Sequence, residues 1–143
     1  MNTTFFESKN FFLQKWYIIN AKNKVIGRLA SQISQILLSK NNVLYTPFLL
    51  SKNHIIIINS KEIIISGKKV LKKKYFKYSG YPGGQKFNTF LDLKKQNPEK
   101  LIRHAVAGML PKNILGRHSF LNLYVYSSKT HSHVSQFPKY LFL

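Results

Sequence analysis

The side chains best suited to chemistry fall in one stretch, Lys72-Lys73-Lys74-Tyr75-Phe76-Lys77-Tyr78-Ser79-Gly80-Tyr81-Pro82-Gly83-Gly84-Gln85-Lys86. Its chemistry is that of binding a polyanion. The lysines Lys72, Lys73, Lys74, Lys77 and Lys86 supply charge for phosphates. Tyr75, Tyr78 and Tyr81 offer flat faces for an unstacked base and hydroxyls that can donate hydrogen bonds. Gly80, Pro82, Gly83 and Gly84 make a bend, because glycine tolerates positive φ and proline fixes its own. Gly83 and Gly84 have no bulk to keep a partner's backbone away. Read alone, the run could equally be a solvated loop that keeps the chain soluble.

Further candidates lie elsewhere. Arg28 falls near the start of an expected helix, where free backbone N–H groups favour anions. Lys112-Asn113-Ile114-Leu115-Gly116-Arg117-His118 is a second basic turn. Arg103, His104 and Lys112 fall off the apolar face of a second expected helix. Ser66-Gly67-Lys68-Lys69 resembles the end of a nucleotide-binding P-loop, but that motif's first glycine would fall at Glu62 and Lys69 replaces its hydroxyl residue, so that reading is rejected. His131 and His133 suggest a metal pair, yet no nearby carboxylate or thiolate completes a ligand set. Contact with RNA or water, or internal packing, is the better reading of both.

Catalysis finds little support. The acids are Glu7, Glu62, Asp92 and Glu99. None pair convincingly for proton transfer, and no nucleophile elbow is present. The absence of cysteine excludes thiol chemistry and disulfides. No apolar run is long enough to cross a bilayer as a helix, and the phenylalanines near the start make a poor secretory signal. No cofactor, metal or small-molecule substrate is expected.

Composition says what such a surface is for. The 143 residues fit one domain, and 44% of them are hydrophobic, enough for a core. Against 23 Lys plus Arg stand 4 acids, a formal charge of +19. A compact body so charged repels itself unless a polyanion surrounds it, nucleic acid before an anionic membrane. The excess of Lys over Arg, with much Ile, Asn, Phe and Tyr, follows AT-rich codons. With the lack of a targeting signal, that suggests an organelle-encoded protein, a plastid first, with a mitochondrion or an AT-rich bacterium as alternatives.

The elements that must position these residues read as β-α-β-(β)-α-β. Trp16 to Asn20 is a buried strand. Val25, Leu29, Ile33 and Leu37, with Ile26, Ala30 and Ile36, form one helical face. Gly27 within it suggests close backbone approach. Ile55 to Ile58 suits a central strand covered on both sides, and Ile63 to Ile65 a shorter strand or extension. Asn97-Pro98-Glu99 opens a helix through Leu110 with a capping residue, a proline and an acid in order. Pro111 ends it. Leu121 to Tyr126 is the last strand. The expectation is an α/β fold with a mostly parallel sheet, an irregular arm at 1–15, a body at 16–126 and an extended tail at 127–143.

These residues resemble the universal large-subunit ribosomal protein L13 family in its bacterial and organellar form. The resemblance rests on Gly27-Arg28-Leu29-Ala30-Ser31, Tyr45-Thr46-Pro47, Ser66-Gly67-Lys68-Lys69 and Ser79-Gly80-Tyr81-Pro82-Gly83-Gly84. It rests above all on Gly108-Met109-Leu110-Pro111-Lys112-Asn113 followed by Leu115-Gly116-Arg117, and on His131, His133, Gln136 and Pro138. It runs in order from about residue 16 to 138. It implies a three-layer α/β/α fold with a small, mostly parallel central sheet. It also implies a structural, non-catalytic role: binding large-subunit ribosomal RNA beside neighbouring ribosomal proteins, early in assembly. The implied RNA contacts are Arg28, Lys68, Lys69, the Lys72–Lys86 loop, Lys112, Asn113, Gly116, Arg117, His131 and His133; Arg103, off the apolar helix face, and His118, in the second basic turn, are read as further contacts from their charge and position. The chain departs from the family at Asn20, where an acid is usual, at Lys52-Asn53-His54, where Gly-Asp is usual, and at Tyr78, often histidine. A nucleic-acid-processing enzyme and an RNA-binding regulator acting off the ribosome are the competing readings.

Overall fold

A computed structural model describes residues 14–142. The expected N-terminal arm lies almost wholly outside them. Four parallel strands build the central sheet: β1 (Lys15–Asn20), β2 (Asn53–Ile58), β5 (Leu123–Val125) and β6 (Lys139–Tyr140), in the order β5-β2-β1-β6. Between β2 and β5 a separate antiparallel hairpin joins β3 (Lys74–Tyr78) to β4 (Gln85–Thr89). The helices are α1 (Ile26–Leu37), the single turn α2 (Lys69–Lys72), α3 (Phe90–Gln96), α4 (Pro98–Met109) and α5 (Ile114–Leu121).

The sheet's two faces follow from the strand period of two. Ile19, Ile55, Ile57, Leu123 and Val125 point to one side, where Leu29, Ile33 and Leu37 of α1 and Ile102 and Val106 of α4 close the core. Ile18, Ile56 and Ile58 point to the other. The unbroken run Ile55–Ile58 is therefore the two-sided central strand that it resembled, at most 3% exposed along its length. Each such isoleucine contributes about 1.5–3 kcal/mol through burial.

What covers the second face differs in kind from the first. The described residues that cover it are a layer of rings, Trp16, His54, Tyr124 and Tyr126, with His133 from the returning tail. The tail is more than an extension, since it turns once at Val134–Gln136 and adds β6 alongside β1.

Two element boundaries differ from expectation, and one helix was not expected. Ile63–Ile65 yields a single bridge, Ile64 to Val25, because Ile63 and Ile65 are drawn inward to two different clusters. The last strand begins at Leu123, since α5 carries helical structure through Leu121. The helix α3 has no strong apolar period; a reciprocal capping box between Thr89 and Asp92 starts it. Asn97 does hold the position before α4, with Pro98 first in the helix, but its side chain makes no capping bond.

Candidate nucleic-acid interface

The lysine-rich run is a twisted ribbon rather than a loop. Lys74 to Tyr78 pairs with Gln85 to Thr89 in register, and only residues 79–84 turn. The Gly84 N–H donates to the Tyr81 carbonyl at 2.9 Å, with Pro82 and Gly83 in between. Gly83 at φ +71° gives the pattern of a type II turn. Gly80, at φ +90°, is the other position that needs a glycine. At Gly84 an added Cβ would meet the Ser79 hydroxyl, which can rotate away, and would lie only 3.0 Å from the fixed Tyr81 carbonyl.

Alternation along the ribbon sorts its side chains. Tyr75 turns inward against the cluster of Ile65, Phe90 and Leu101, and its ring meets the His104 ring edge-on at 5.2 Å. Burial pushes the Tyr75 phenol above its ordinary value. Tyr75 is thus an anchor between hairpin and α4, less free to stack on a base than Tyr78 and Tyr81, which are exposed. Lys72, Lys73, Lys74, Lys77 and Lys86 are all exposed.

The hairpin, α4 and α5 form one continuous surface. A groove of about 370 Å³ runs between hairpin and α4, past Lys77, Lys100, Arg103 and His104. It shares Ala107 and Phe120 with a second cleft of about 680 Å³, bordered by Lys112, Arg117 and His118. The structure thereby gathers the expected contact residues Lys77, Arg103, Lys112, Arg117 and His118 on one side. Arg103 also braces the fold, donating to the Leu123 carbonyl at 3.3 Å. Lys68 and Lys69 are exposed around the start of α2, next to Gly67 at φ +69°. Arg28 is exposed in the first turn of α1. Ile26, two residues earlier, packs with Val70 on the cluster under the hairpin, so Arg28 points to another side of α1 and is not brought together with the cations above.

Two residues in the second basic turn have structural work of their own. Asn113 caps α5, its side-chain oxygen accepting from the Gly116 N–H at 2.7 Å. Gly116 is buried, and a Cβ there would run into the Pro111 carbonyl. Gly27, by contrast, faces open space, so the expected close approach within the chain is not what places a glycine there.

His131 and His133 lie apart from this surface, on the sheet's other face. The His133 ring packs 4.4 Å from Tyr124 and 5.2 Å from Trp16, and the His131 ring lies 6.2 Å from Tyr126. Among the described residues, no group of three or more His, Cys, Asp or Glu could hold a metal ion. His54 had no part in the sequence reading as a site residue. It stacks on Trp16 at 4.2 Å with an interplanar angle of 11°. Burial, and then the neighbouring His133, lower its pKa below the ordinary value near 6.5.

The family model described as Ribosomal protein L13 matches residues 14–132. The chain belongs to the ribosomal protein L13 family. It is 45% identical over 140 residues to the large ribosomal subunit protein uL13c of Gracilaria tenuistipitata var. liui, covering 97% of this chain and 96% of that one. It is 44% identical over 141 residues to uL13 of Rippkaea orientalis, covering 99% and 93%. It is also 44% identical over 138 residues to uL13 of Dictyoglomus thermophilum, covering 96% and 97%.

Two of the segments that carried the L13 resemblance shape this surface. Gly108 to Asn113 ends α4, breaks at Pro111 and caps α5. Ser79 to Gly84 is the hairpin turn. Where the L13 pattern usually has Gly-Asp, Asn53 bonds the Ile36 carbonyl at 2.9 Å and the Ser39 hydroxyl at 2.8 Å, joining the end of α1 to β2. Where an acid is usual, Asn20 accepts from the Asn59 side chain at 2.9 Å.

Proposed function

We propose that the chain is a structural constituent of the large ribosomal subunit that binds large-subunit ribosomal RNA and supports early subunit assembly. Membership of a ribosomal protein family makes it a structural protein and not an enzyme. The observation that carries the RNA reading is the joining of the hairpin, α4 and α5 into one exposed cationic flank. No acid falls between Glu62 and Asp92, so the hairpin carries none, and Glu99 at the start of α4 is the flank's one acid. Most contacts are to the sugar-phosphate backbone and to RNA shape. Lys68, Lys69, the hairpin lysines, Arg103, Lys112, Arg117 and His118 are the contacts on this flank, and Arg28 on α1 is a contact apart from it. Tyr75, Asn113 and Gly116 hold it in shape from within. His131 and His133 serve on a separate face. Neighbouring large-subunit proteins complete the environment.

The body at 16–126 acts as one α/β unit between an arm at 1–15 and the tail at 127–143. The ribosome is that of a plastid. The AT-biased composition and the similarity to uL13c of Gracilaria tenuistipitata var. liui support this.

The test is incorporation. Tagged wild-type chain is expected to sediment with the large subunit through a high-salt wash. Arg117→Glu is expected to lower its occupancy roughly ten-fold, through lost and reversed phosphate contact, while Lys9→Glu in the arm leaves it nearly unchanged. Equal effects would count against a localised surface, and a wild-type chain found mainly free of subunits would favour the off-ribosome regulator. Blotting isolated organelles in parallel reads the compartment.

A further inference from the structure

The outward face of the hairpin carries an aromatic pair that nothing in the fold requires to be bare. Phe76 and Phe87 stand directly opposite each other across the two strands. Their ring centroids are 6.4 Å apart, and the residues remain 59% and 55% exposed. Tyr78, 68% exposed, follows on the same face two residues on. The inward side of the same ribbon already has its anchor in Tyr75.

A cross-strand aromatic pair does steady a hairpin, by about 0.2–1 kcal/mol. That role is met by the ring–ring contact and leaves the outer faces uncovered. The surroundings decide what fits there. The Lys74 ammonium lies 4.7 Å from the centre of the Phe87 ring, and Lys73 lies 5.2 Å from that of Tyr75. Lys77 and Lys86, opposite each other, lie on the Tyr75 face, so Lys74 is the ribbon lysine beside the two phenylalanines, and no acid falls within the ribbon. An apolar protein segment would have to bury that ammonium group without a counter-charge, which is costly. A single-stranded nucleic acid supplies both needs at once, planar apolar faces and a phosphate at every step.

We propose that Phe76 and Phe87, with Tyr78, form a stacking platform for unpaired nucleobases of RNA, with Lys74 and its neighbouring lysines on the adjoining phosphates. The proposal rests on the RNA-binding reading above and names the ligand of one part of that surface.

The experiment separates base from backbone. Purified chain is titrated with an oligouridylate of about twelve nucleotides and with an abasic ribose-phosphate oligomer of the same length. Wild-type chain is expected to prefer the oligouridylate about ten-fold. The double variant Phe76→Leu/Phe87→Leu keeps apolar bulk and loses the planar faces. It is expected to bind the abasic oligomer as before and to lose the preference. Photo-crosslinking of wild-type chain to 4-thiouridine-substituted oligomer, mapped by mass spectrometry, is expected to mark residues 74–87, and needs no variant to fold. Equal wild-type affinity for the two oligomers, a preference retained in the leucine variant, or crosslinks that avoid the hairpin would each overturn the platform. Failure of wild-type chain to bind either oligomer or structured ribosomal RNA would overturn the RNA reading itself.

Discussion

Gly27 and Gly116 lack a side chain under opposite circumstances. At Gly27 an added Cβ meets nothing within 4 Å, and the residue lies inside a helix. At Gly116 it meets the Pro111 backbone, which cannot move aside as a side-chain tip could. Gly27→Ala is therefore expected to raise stability by about 0.5–1 kcal/mol through backbone entropy. Gly116→Ala is expected to lower it by about 1–3 kcal/mol, as overpacking does. Urea unfolding of the two variants reads both signs. Similar effects at the two sites would remove the packing explanation for Gly116. Sequence pattern marked both glycines but could not tell them apart, because the clash partner of Gly116 is a carbonyl five residues earlier, visible only once α4 has broken at Pro111. Tyr75 shows the same limit. Its ring type announced a base contact, and strand alternation turned it inward against His104.

At the scale of elements, periodic apolar segments were legible and cationic ones were not. The helices α1 and α4 and the strands β1 and β2 show their period in Ile, Leu and Val. The ribbon β3–β4 hides its period of two under lysines, so only its turn, Gly80 to Gly84, could be read. The tail was hidden differently. Its fixing to the sheet depends on Trp16, His54, Tyr124 and His133, which come from four separate stretches of chain. That layer has a consequence for pH. The Gln14 amide nitrogen faces the His54 Nε2 at 2.9 Å, so the ring accepts there in its neutral form. The folded-state pKa is below the ordinary value near 6.5. As pH falls through that value, the unfolded chain gains a proton that the folded chain still resists. Stability conferred by this layer is therefore full above pH ~6.5 and declines down to the lowered folded value. Melting temperature is expected to be lower at pH ~5 than at pH ~7.5, with the difference reduced in His54→Phe, which keeps the stacked ring. Asp92, whose carboxyl is held low by the Thr89 hydroxyl and N–H, acts only in more acidic solution. Trp16 is the chain's one tryptophan, so its fluorescence reports the same layer. A melting temperature flat across this range would remove His54 from the account.

At the scale of the whole molecule, charge opposes the isolated fold and favours its complex. The chain carries a formal +19. Lys22 and Glu62, 3.2 Å apart, form an ion pair whose ends are both about half exposed, where such pairs add little. Like charges around so small a core repel over a Debye length, about 10 Å at 0.1 M salt and about 3 Å at 1 M. Added salt therefore has two opposite effects on one protein. For the free chain, raising KCl from about 0.05 to about 0.5 M shortens the repulsion and is expected to raise the melting temperature by several degrees. For the complex, the same salt weakens binding, because each neutralised phosphate had released a counterion. With 6–10 such contacts the loss is about 10³–10⁵ between about 50 and 200 mM. The apolar stacking at Phe76 and Phe87 carries no such slope, so the ratio of oligouridylate to abasic affinity is expected to stay constant while both affinities fall. Differential scanning fluorimetry and filter binding over one salt series measure all three quantities. A free chain that melts lower in salt would show that the fold has paired its charges internally. A binding constant that ignores salt would show that shape alone holds the RNA. Opposite signs in the two series would tie the excess of lysine to the polyanion that the folded chain is built to meet.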